Sequence, residues 1–597
     1  MLLRNTKRNQ PQVGITLVED IKLPRFAFQV KGHQYEEEIS DSMDLEWQGL
    51  VNAGCFHGPV TMEEVKRNGC QITPTLWVYR AKPDDFGFLD KIKSRLTLRG
   101  DIMNKFDKST SDKGSVFDAF APVTRLTIMR TLLAMHFDDP NVKFYQMDIK
   151  QAFITADMKR PVYIKIPPQF VKTGEEPLIL LLRKALYGGS DSPRCFFDDY
   201  KKKLMKGFGF QPIHSDPCYL QVYKGNSYIK LCWHVDDSLC VSKGEELWKE
   251  FIAFMDSIYL YTVSDLHHMV GIIFERDAKT GCLRMHQQPQ VDKILRAFPD
   301  LVGKARNTPI RNIRDMPTDK DRPTSEEEIK RAASYPMMQI VGHLLWLHVC
   351  TFPELSFPLK VSAKYVHAHG DKVHAWTNNM LNYLKSNQHS GIIFKPSANK
   401  SVEAFTDSNH LKDTDNCKPI SGSVIKIGGN LVDYMAKRMK IITNSGAESE
   451  TYAVNEGCKR LAYVTQFMEE STMMPIYPVP VYVDCTAAIH WCINPVINAA
   501  NGHMKAKYFY ARQCYFEGIV KILKIDSSEE QADVMVTYKS ESNFHHLVSA
   551  LKNTSYDSKS SDEEGSKSDT NPRLRKVLLA ISRRGRLTLL TKSNVSN

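Results

Sequence analysis

The stretch Leu231-Cys232-Trp233-His234-Val235-Asp236-Asp237-Ser238-Leu239-Cys240 constrains this chain more than any other. Two adjacent carboxylates lie between apolar runs rich in β-formers. That pattern predicts a strand, a tight turn and a returning strand, with Asp236 and Asp237 at the tip. Like charges side by side destabilise a fold unless something positive offsets them, and a divalent cation with oxygen ligands is the natural offset. A plain polar turn is the other reading, because Asp is a favoured turn residue.

Upstream, Phe144-Tyr145-Gln146-Met147-Asp148-Ile149 is another β-type run with one acid near its end, continuing as Lys150-Gln151-Ala152-Phe153-Ile154. A single Asp ending one strand, plus an Asp-Asp hairpin later, is the carboxylate arrangement that two-metal phosphoryl transfer needs. One metal activates the attacking 3′-hydroxyl and the other stabilises the leaving pyrophosphate. That the two strands lie side by side is an inference, since nothing in the sequence pairs them.

Four motifs now stand in order: Asp148-Ile149-Lys150-Gln151-Ala152-Phe153, Val162-Tyr163-Ile164-Lys165-Ile166-Pro167-Pro168, Leu186-Tyr187-Gly188 and Val235-Asp236-Asp237. Together they resemble the reverse transcriptase of copia-type LTR retrotransposons, at about that family's spacing, and an ordered set is more specific than any one motif. A second set of acids follows. Val402-Glu403-Ala404-Phe405-Thr406-Asp407 and Val481-Tyr482-Val483-Asp484 read as strands ending in Asp, Glu448 and Glu450 open a helix, and Glu530-Gln531-Ala532-Asp533 reads as the start of a last helix. The order Asp, Glu, Asp, Asp resembles ribonuclease H of the same elements. Aligning Glu450-Thr451-Tyr452-Ala453-Val454 with that family's Glu-Tyr-x-Ala-Leu makes Glu450 the ligand and Glu448 its neighbour.

The resemblance implies an α+β fold: a right-hand polymerase with fingers, palm and thumb, its palm a ferredoxin-like antiparallel sheet, then an α/β ribonuclease H-like domain with a mixed sheet. The expected boundaries are a flexible lead-in at 1–20, fingers and palm at 21–300, thumb or connection at 301–398, the ribonuclease H-like domain at 399–550, and a disordered Ser/acidic then basic tail at 551–597. The implied activity is RNA-directed DNA synthesis with cleavage of the RNA strand of the hybrid. Asp148, Asp236 and Asp237 would hold one pair of Mg2+ ions, with Mn2+ the alternative, and Asp407, Glu450, Asp484 and Asp533 the other. The implied partners are an RNA template, a DNA primer, the RNA–DNA hybrid and deoxynucleoside triphosphates. Arg95, in Lys93-Ser94-Arg95-Leu96-Thr97-Leu98-Arg99-Gly100, would reach the triphosphate, because a guanidinium fork suits phosphate oxygens. A solvated strand face is the competing reading. Phe153 would block a ribose 2′-hydroxyl, the sugar group that separates RNA from DNA precursors. A core aromatic is its other reading.

The chain departs from the family at several points. Leu186-Tyr187-Gly188-Gly189-Ser190-Asp191 stands where Leu-Tyr-Gly-Leu-Lys-Gln is usual. Gly189 adds chain freedom. Asp191 adds negative charge near a nucleotide, which weakens binding unless a basic partner such as Arg194 offsets it. Met439 replaces Gln, Cys485 follows Asp484 where Asn is usual, Phe352 and Glu354 replace Arg and Asp, and Gly502 precedes His503 where Lys is usual. Lys505 and Lys507 suit backbone phosphate or a plain basic face equally. Gly189, Ser190, Asp191 and Met439 motivate a rival reading, a decayed or domesticated nucleic-acid-binding relic without catalysis.

Composition adds limits. With 597 residues the chain holds several domains, and 42% hydrophobic content suits globular cores. The net charge of +11 permits nucleic-acid binding without requiring it. The 13 cysteines include no Cys-x-x-Cys pair, so reduced thiols are expected and no zinc knuckle can be assembled. No apolar run approaches a membrane span and no signal peptide opens the chain, so an intracellular place is expected, in a cytoplasmic particle or the nucleus, without a membrane partner. No gag-like, protease or integrase region is visible, which leaves a fragment, a processed product or a decayed copy as readings. Residues 558–569 are Ser- and acid-rich and expected to be disordered. The basic, leucine-containing 572–592 that follow suit nucleic acid or an acidic surface, or are read-through without a role.

Overall fold

The computed structural model describes residues 18, 21–83, 88–103, 120–171, 174–410, 415, 418–496 and 509–554. Gly502, His503, Lys505, Lys507, the tail from 555 and the lead-in other than Val18 lie outside these residues. The chain falls into two compact units. One takes the described residues of Met1–Ala121 and Gln151–Lys201, and the other those of Pro122–Lys150 and Lys202–Tyr556.

In the first unit the helix Glu36–Asn52 packs on the strand Leu89–Leu98, which pairs antiparallel with Thr75–Pro83. Along Leu89–Leu98 the residues Ile92, Ser94, Leu96 and Leu98 are buried while Lys93, Arg95 and Thr97 alternate outward, the period-two pattern of a half-buried strand. Beside them Phe56–Val60, Ile179–Leu182 and Tyr163–Lys165 form a three-stranded antiparallel sheet. Ile39, Leu50, Leu96, Ile164 and Leu186 belong to their shared core.

The second unit carries three sheets. The first has six antiparallel strands in the order Tyr261–Asp265, Val142–Ile149, Asp237–Lys243, Ser227–His234, Tyr219–Lys224, Gln211–Pro212. A four-stranded antiparallel sheet joins His268–Met269, Ile272–Arg276, Leu283–His286 and Gly391–Phe394, the last strand arriving after the helices Met337–Cys350, Ser356–Lys364 and Asp371–Ser386. The third sheet is mixed: Asn430–Arg438, Ile420–Ile427 and Val402–Asn409 run antiparallel, then Val479–Val483 and Val520–Lys524 join in parallel. The helix Gly446–Glu470 lies on this sheet. A Cβ on Gly457 would stand 2.4 Å from Thr406 Cγ2, so only glycine lets the helix approach this closely.

Charged contacts lie inside this unit. Asp433 accepts from Thr127 Oγ1 at 2.6 Å and from Arg460 through Nε at 2.6 Å and Nη2 at 2.5 Å. Glu354 and Lys552, both buried, meet at 2.9 Å, and Tyr383 donates its hydroxyl to Glu354 at 3.0 Å. At the end of Gly446–Glu470, Gln221 Nε2 donates to the Glu470 carbonyl and Lys230 Nζ to the Ser471 carbonyl, each at 2.8 Å.

Early in the span 301–398 lie short 3-10 turns at Ile313–Asp315 and Asp319–Asp321 and then the helix Glu326–Ser334. Two expectations change here. Asp533 sits in a short 3-10 turn, Asp533–Met535, and the last helix is Glu541–Lys552. Val534, Val536 and Thr537 are β-branched, which disfavours a longer helix from Asp533. Residues 551–552 belong to that last helix rather than to the tail. The cysteines described are free.

Candidate functional site

The Asp236–Asp237 turn is as tight as the sequence suggests. His234 pairs directly with Asp237, leaving Val235 and Asp236 as the connection. Val235 has φ 61°, the left-handed region that such turns require and that a β-branched residue rarely occupies. Strain of this kind collects at functional sites. The strand Val142–Ile149 lies alongside, and Asp148 is directly opposite Asp237 in antiparallel register. Directly opposed residues share a face of the sheet, so both carboxylates project together. The Ile149 N–H donates to the Asp236 carbonyl at 3.1 Å and fixes the turn to that strand. Asp148 is exposed, whereas Asp236 and Asp237 are half-buried.

Burial pushes the Asp237 carboxyl up to about 6; the Val270 N–H, donating to Oδ2 at 3.1 Å, works against this, and the charges of Asp148 and Asp236 add to the rise. Val270 comes from the turn between His268–Met269 and Ile272–Arg276, so the neighbouring sheet supports the acid. His267 and His268 donate their backbone N–H groups to Gln146 Oε1 at 3.0 and 2.6 Å.

In the other unit, Arg95 and Phe153 meet at one residue. The Arg95 guanidinium lies 4.4 Å from the centre of the Tyr187 ring, and Phe153 stands edge-on to the same ring at 5.0 Å. Tyr187 is held by its carbonyl, which accepts from the Leu98 N–H at 2.7 Å. Next to it, Gly188 takes φ +79° with the Leu98 carbonyl oxygen only 2.3 Å from where a Cβ would be. Gly189 is likewise demanded by space, since its Cβ would fall 2.5 Å from Ser192 Oγ.

Asp191 is buried, and its partner is Arg160, which binds it through both Nε and Nη2, the latter at 3.1 Å, while Ser190 Oγ donates to it at 2.7 Å. Arg194 instead pairs with Asp198 at 3.0 Å. The negative charge that the sequence sets near a nucleotide is thus neutralised within the fold, by a different arginine from the one expected.

The later acids converge more tightly. Asp407, Glu450 and Asp484 are, among the described residues, the one group of three His, Cys, Asp or Glu side chains whose ligand atoms all lie within 4.8 Å of one another. Asp407 comes from inside Val402–Asn409, Glu450 from the first turns of Gly446–Glu470, and Asp484 follows Val479–Val483. The N-cap Ser445 accepts from the Glu448 N–H at 3.2 Å and Glu448 accepts from the Asn444 N–H at 2.7 Å, so Glu448 serves the helix end while Glu450 faces the cluster. Ser408 donates to Glu450 Oε1 from its N–H at 3.2 Å and its hydroxyl at 2.9 Å. Ser527 Oγ donates to Asp484 Oδ2 at 2.7 Å.

Burial drives the Glu450 carboxyl up to about 8, with Asp484 adding to the rise against the Ser408 hydrogen bonds. Burial, then the charges of Glu450, Glu530 and Asp484, raise Asp407 well above the carboxylate range. Glu450 Oε2 is buried with no hydrogen-bond partner. Three hard oxygen donors and an orphaned carboxylate oxygen fit a small divalent cation.

Asp533 lies outside this group and pairs with Lys539. The sequence reading missed Glu530, Lys539, Ser408 and Val270. The adjacent acids Glu529 and Glu530 were the visible signal for the first. The others make contacts that depend on tertiary folding. Met439 is buried and Cys485 half-buried at the start of the helix Thr486–Ile493.

Residues 64–312 match the family described as reverse transcriptase (RNA-dependent DNA polymerase). The chain is 25% identical over 535 residues to the retrovirus-related Pol polyprotein from transposon TNT 1-94 of Nicotiana tabacum, covering 89% of this chain and 39% of that protein. It is 24% identical to the corresponding polyprotein from transposon RE2 of Arabidopsis thaliana, over 80% of this chain and 32% of the relative. The chain therefore spans well under half the length of these relatives. A foamy viral protease-reverse transcriptase solved with double-stranded DNA aligns over 82% of this chain and 69% of its own, at a TM-score of 0.44 and 12% identity. No helix among the described residues is long and apolar enough to cross a membrane. Residues 64–312 thus match the reverse transcriptase family, and the chain as a whole is similar to retrovirus-related Pol polyproteins of plant transposons.

Proposed function

We propose that this chain is an RNA-directed DNA polymerase with an attached ribonuclease H activity, working in a cytoplasmic particle or the nucleus. The observation that carries the polymerase reading is the register that sets Asp148 opposite Asp237, with Asp236 in the strained turn. Asp148, Asp236 and Asp237 would hold two Mg2+ ions. When bound, these supply activation of the primer 3′-hydroxyl and charge stabilisation of the leaving pyrophosphate. The six-stranded sheet is read as the palm and the helices Met337–Cys350 to Asp371–Ser386 as thumb and connection. In the other unit, read as fingers, Arg95 binds the triphosphate of the incoming deoxynucleotide. Phe153, buttressed by Tyr187, excludes a 2′-hydroxyl.

The mixed sheet is read as ribonuclease H. Asp407, Glu450 and Asp484 hold the hydrolytic Mg2+ pair, Mn2+ serving as a substitute, and Ser408 orients Glu450. Asp533 joins as the fourth ligand when Lys539 leaves it for a phosphate of the RNA–DNA hybrid.

Primer extension on an RNA template with Mg2+ tests the reading. Extension is expected in the parent chain and a fall on the order of a hundredfold or more in Asp236→Asn. Salt-sensitive hybrid binding without any extension in the parent chain would overturn it in favour of the non-catalytic relic.

A further inference from the structure

Gln146 lies two residues before Asp148 on the strand Val142–Ile149, so by the period of a strand the two side chains share a face. Its Oε1 accepts two backbone N–H groups from the segment entering the four-stranded sheet, those of His267 at 3.0 Å and His268 at 2.6 Å. That segment leads into the turn Val270-Gly271, which joins His268–Met269 to Ile272–Arg276 with Met269 opposite Ile272. Both turn residues take positive φ, 50° at Val270 and 73° at Gly271. The geometry suits a two-residue hairpin, but a β-branched residue rarely adopts it, so the surroundings must hold Val270 there. Two clasps do so. Gln146 grips the chain at His268, two residues before Val270, and the Val270 N–H reaches Asp237 Oδ2 at 3.1 Å. Behind the turn, a Cβ on Gly271 would stand 3.7 Å from Trp346 Nε1, so the helix Met337–Cys350 backs it. A hydrogen bond to one oxygen of a carboxylate sets how that group is turned and which oxygen it offers to a ligand.

We propose that Gln146 is a positioning residue of the polymerase centre: it sets the Val270 N–H against Asp237 Oδ2 and so fixes the oxygen that Asp237 shows to a cation. The proposal rests on reading Asp148, Asp236 and Asp237 as that centre. Gln146 itself touches no reacting group. Its neutral amide supplies the acceptor without a further negative charge beside Asp148. A residue that only stapled two sheets would order His267 and His268 and leave Val270 to Asp237 alone.

The test is hydrogen exchange of the full chain resolved to single amides, with primer extension on the same preparations. Gln146→Met keeps the length of the side chain and removes the acceptor. Exchange at Val270, whose N–H Gln146 does not bind, is expected to quicken about tenfold. The kcat for extension with Mg2+ is expected to fall about tenfold while the affinity for primer–template holds. Gln146→Glu returns an acceptor and is expected to restore slow exchange at Val270. Faster exchange at His267 and His268 with Val270 unchanged overturns the role of Gln146 alone, and so does an unchanged kcat in Gln146→Met. No extension by the parent chain overturns the polymerase reading, and the assignment of Gln146 with it, whatever the exchange shows. Should Gln146→Met fail to fold, Gln146→Asn withdraws the acceptor by one methylene. Faster exchange at Val270 there supports the proposal and unchanged exchange overturns it.

Discussion

In the six-stranded sheet three aspartates gather at a hairpin tip, with Asp148 exposed and its two companions half-buried; in the mixed sheet Asp407 and Glu450 are buried and only Asp484 reaches solvent in part. Both sets carry three acids, yet water screens the first and not the second. The open set can stay charged without a resident ion and can take up cation together with a charged ligand. The closed set has orphaned oxygen and strongly raised carboxyl groups, so it needs a cation or protons before any ligand arrives. Asp191 offers a third solution, a buried acid whose cation, Arg160, is built into the fold.

The largest expected effect separates the two sets by activity. Asp237→Asn should abolish primer extension by about a thousandfold while sparing cleavage of the RNA strand, and Glu450→Gln should do the reverse. Both reactions run on the same preparations measure this, and a loss of both in either variant breaks the comparison. Next comes the built-in cation. Arg160→Met leaves Asp191 buried and unpaired, a destabilisation of about 3–5 kcal/mol by chemical denaturation. Restoration by a second change, Asp191→Leu, would confirm that the unpaired charge is the cause.

A smaller effect concerns Mg2+ and heat. At a hundredfold excess over Kd the cation should stabilise the closed set by about 2.7 kcal/mol, seen as a rise in melting temperature that Glu450→Gln removes and Asp237→Asn keeps. The reverse pattern would mean that the open set is the tighter binder.

The smallest effect lies away from both sets. Burial pushes the Lys230 ammonium down to about 7, from an ordinary 10.5. Its neighbours are His136 at 3.4 Å and the Ser471 carbonyl, with Asp139 acting on His136. Between pH 7 and about 10 the unfolded chain binds the Lys230 proton and the folded chain has released it, so stability rises with pH across that window. Lys230→Met should flatten this rise in the melting temperature, leaving the trend below pH 7 that comes from His136.

The hairpin and the strand beside it were legible because runs of β-formers announce strands and turns favour Asp. The run 142–149 and the run 227–243 each declare a strand without help from the rest of the fold. The partner of Asp191 was not legible. Arg160 is 31 residues away, and Arg194, nearer in sequence, is drawn to Asp198 by helical i,i+4 spacing. The glycine after Gly188 reads in sequence as freedom and in the fold as lack of room, because clash distances depend on Ser192 and Leu98 packing back. Asp533 illustrates the same limit: its place in the four-acid order was visible, but its pairing with Lys539 and the 3-10 turn that carries it depend on tertiary context.

The helix Gly446–Glu470 has a mechanical consequence. From Glu450 to its last residue it spans about 30 Å at 1.5 Å per residue. One end presents an acid of the mixed sheet, and just past the other Ser471 is gripped by Lys230, on the strand that runs into the Asp236 turn. A rod seated at both ends behaves as a ruler, so the spacing between Glu450 and the strand Ser227–His234 is written into the number of helical turns rather than left to a hinge.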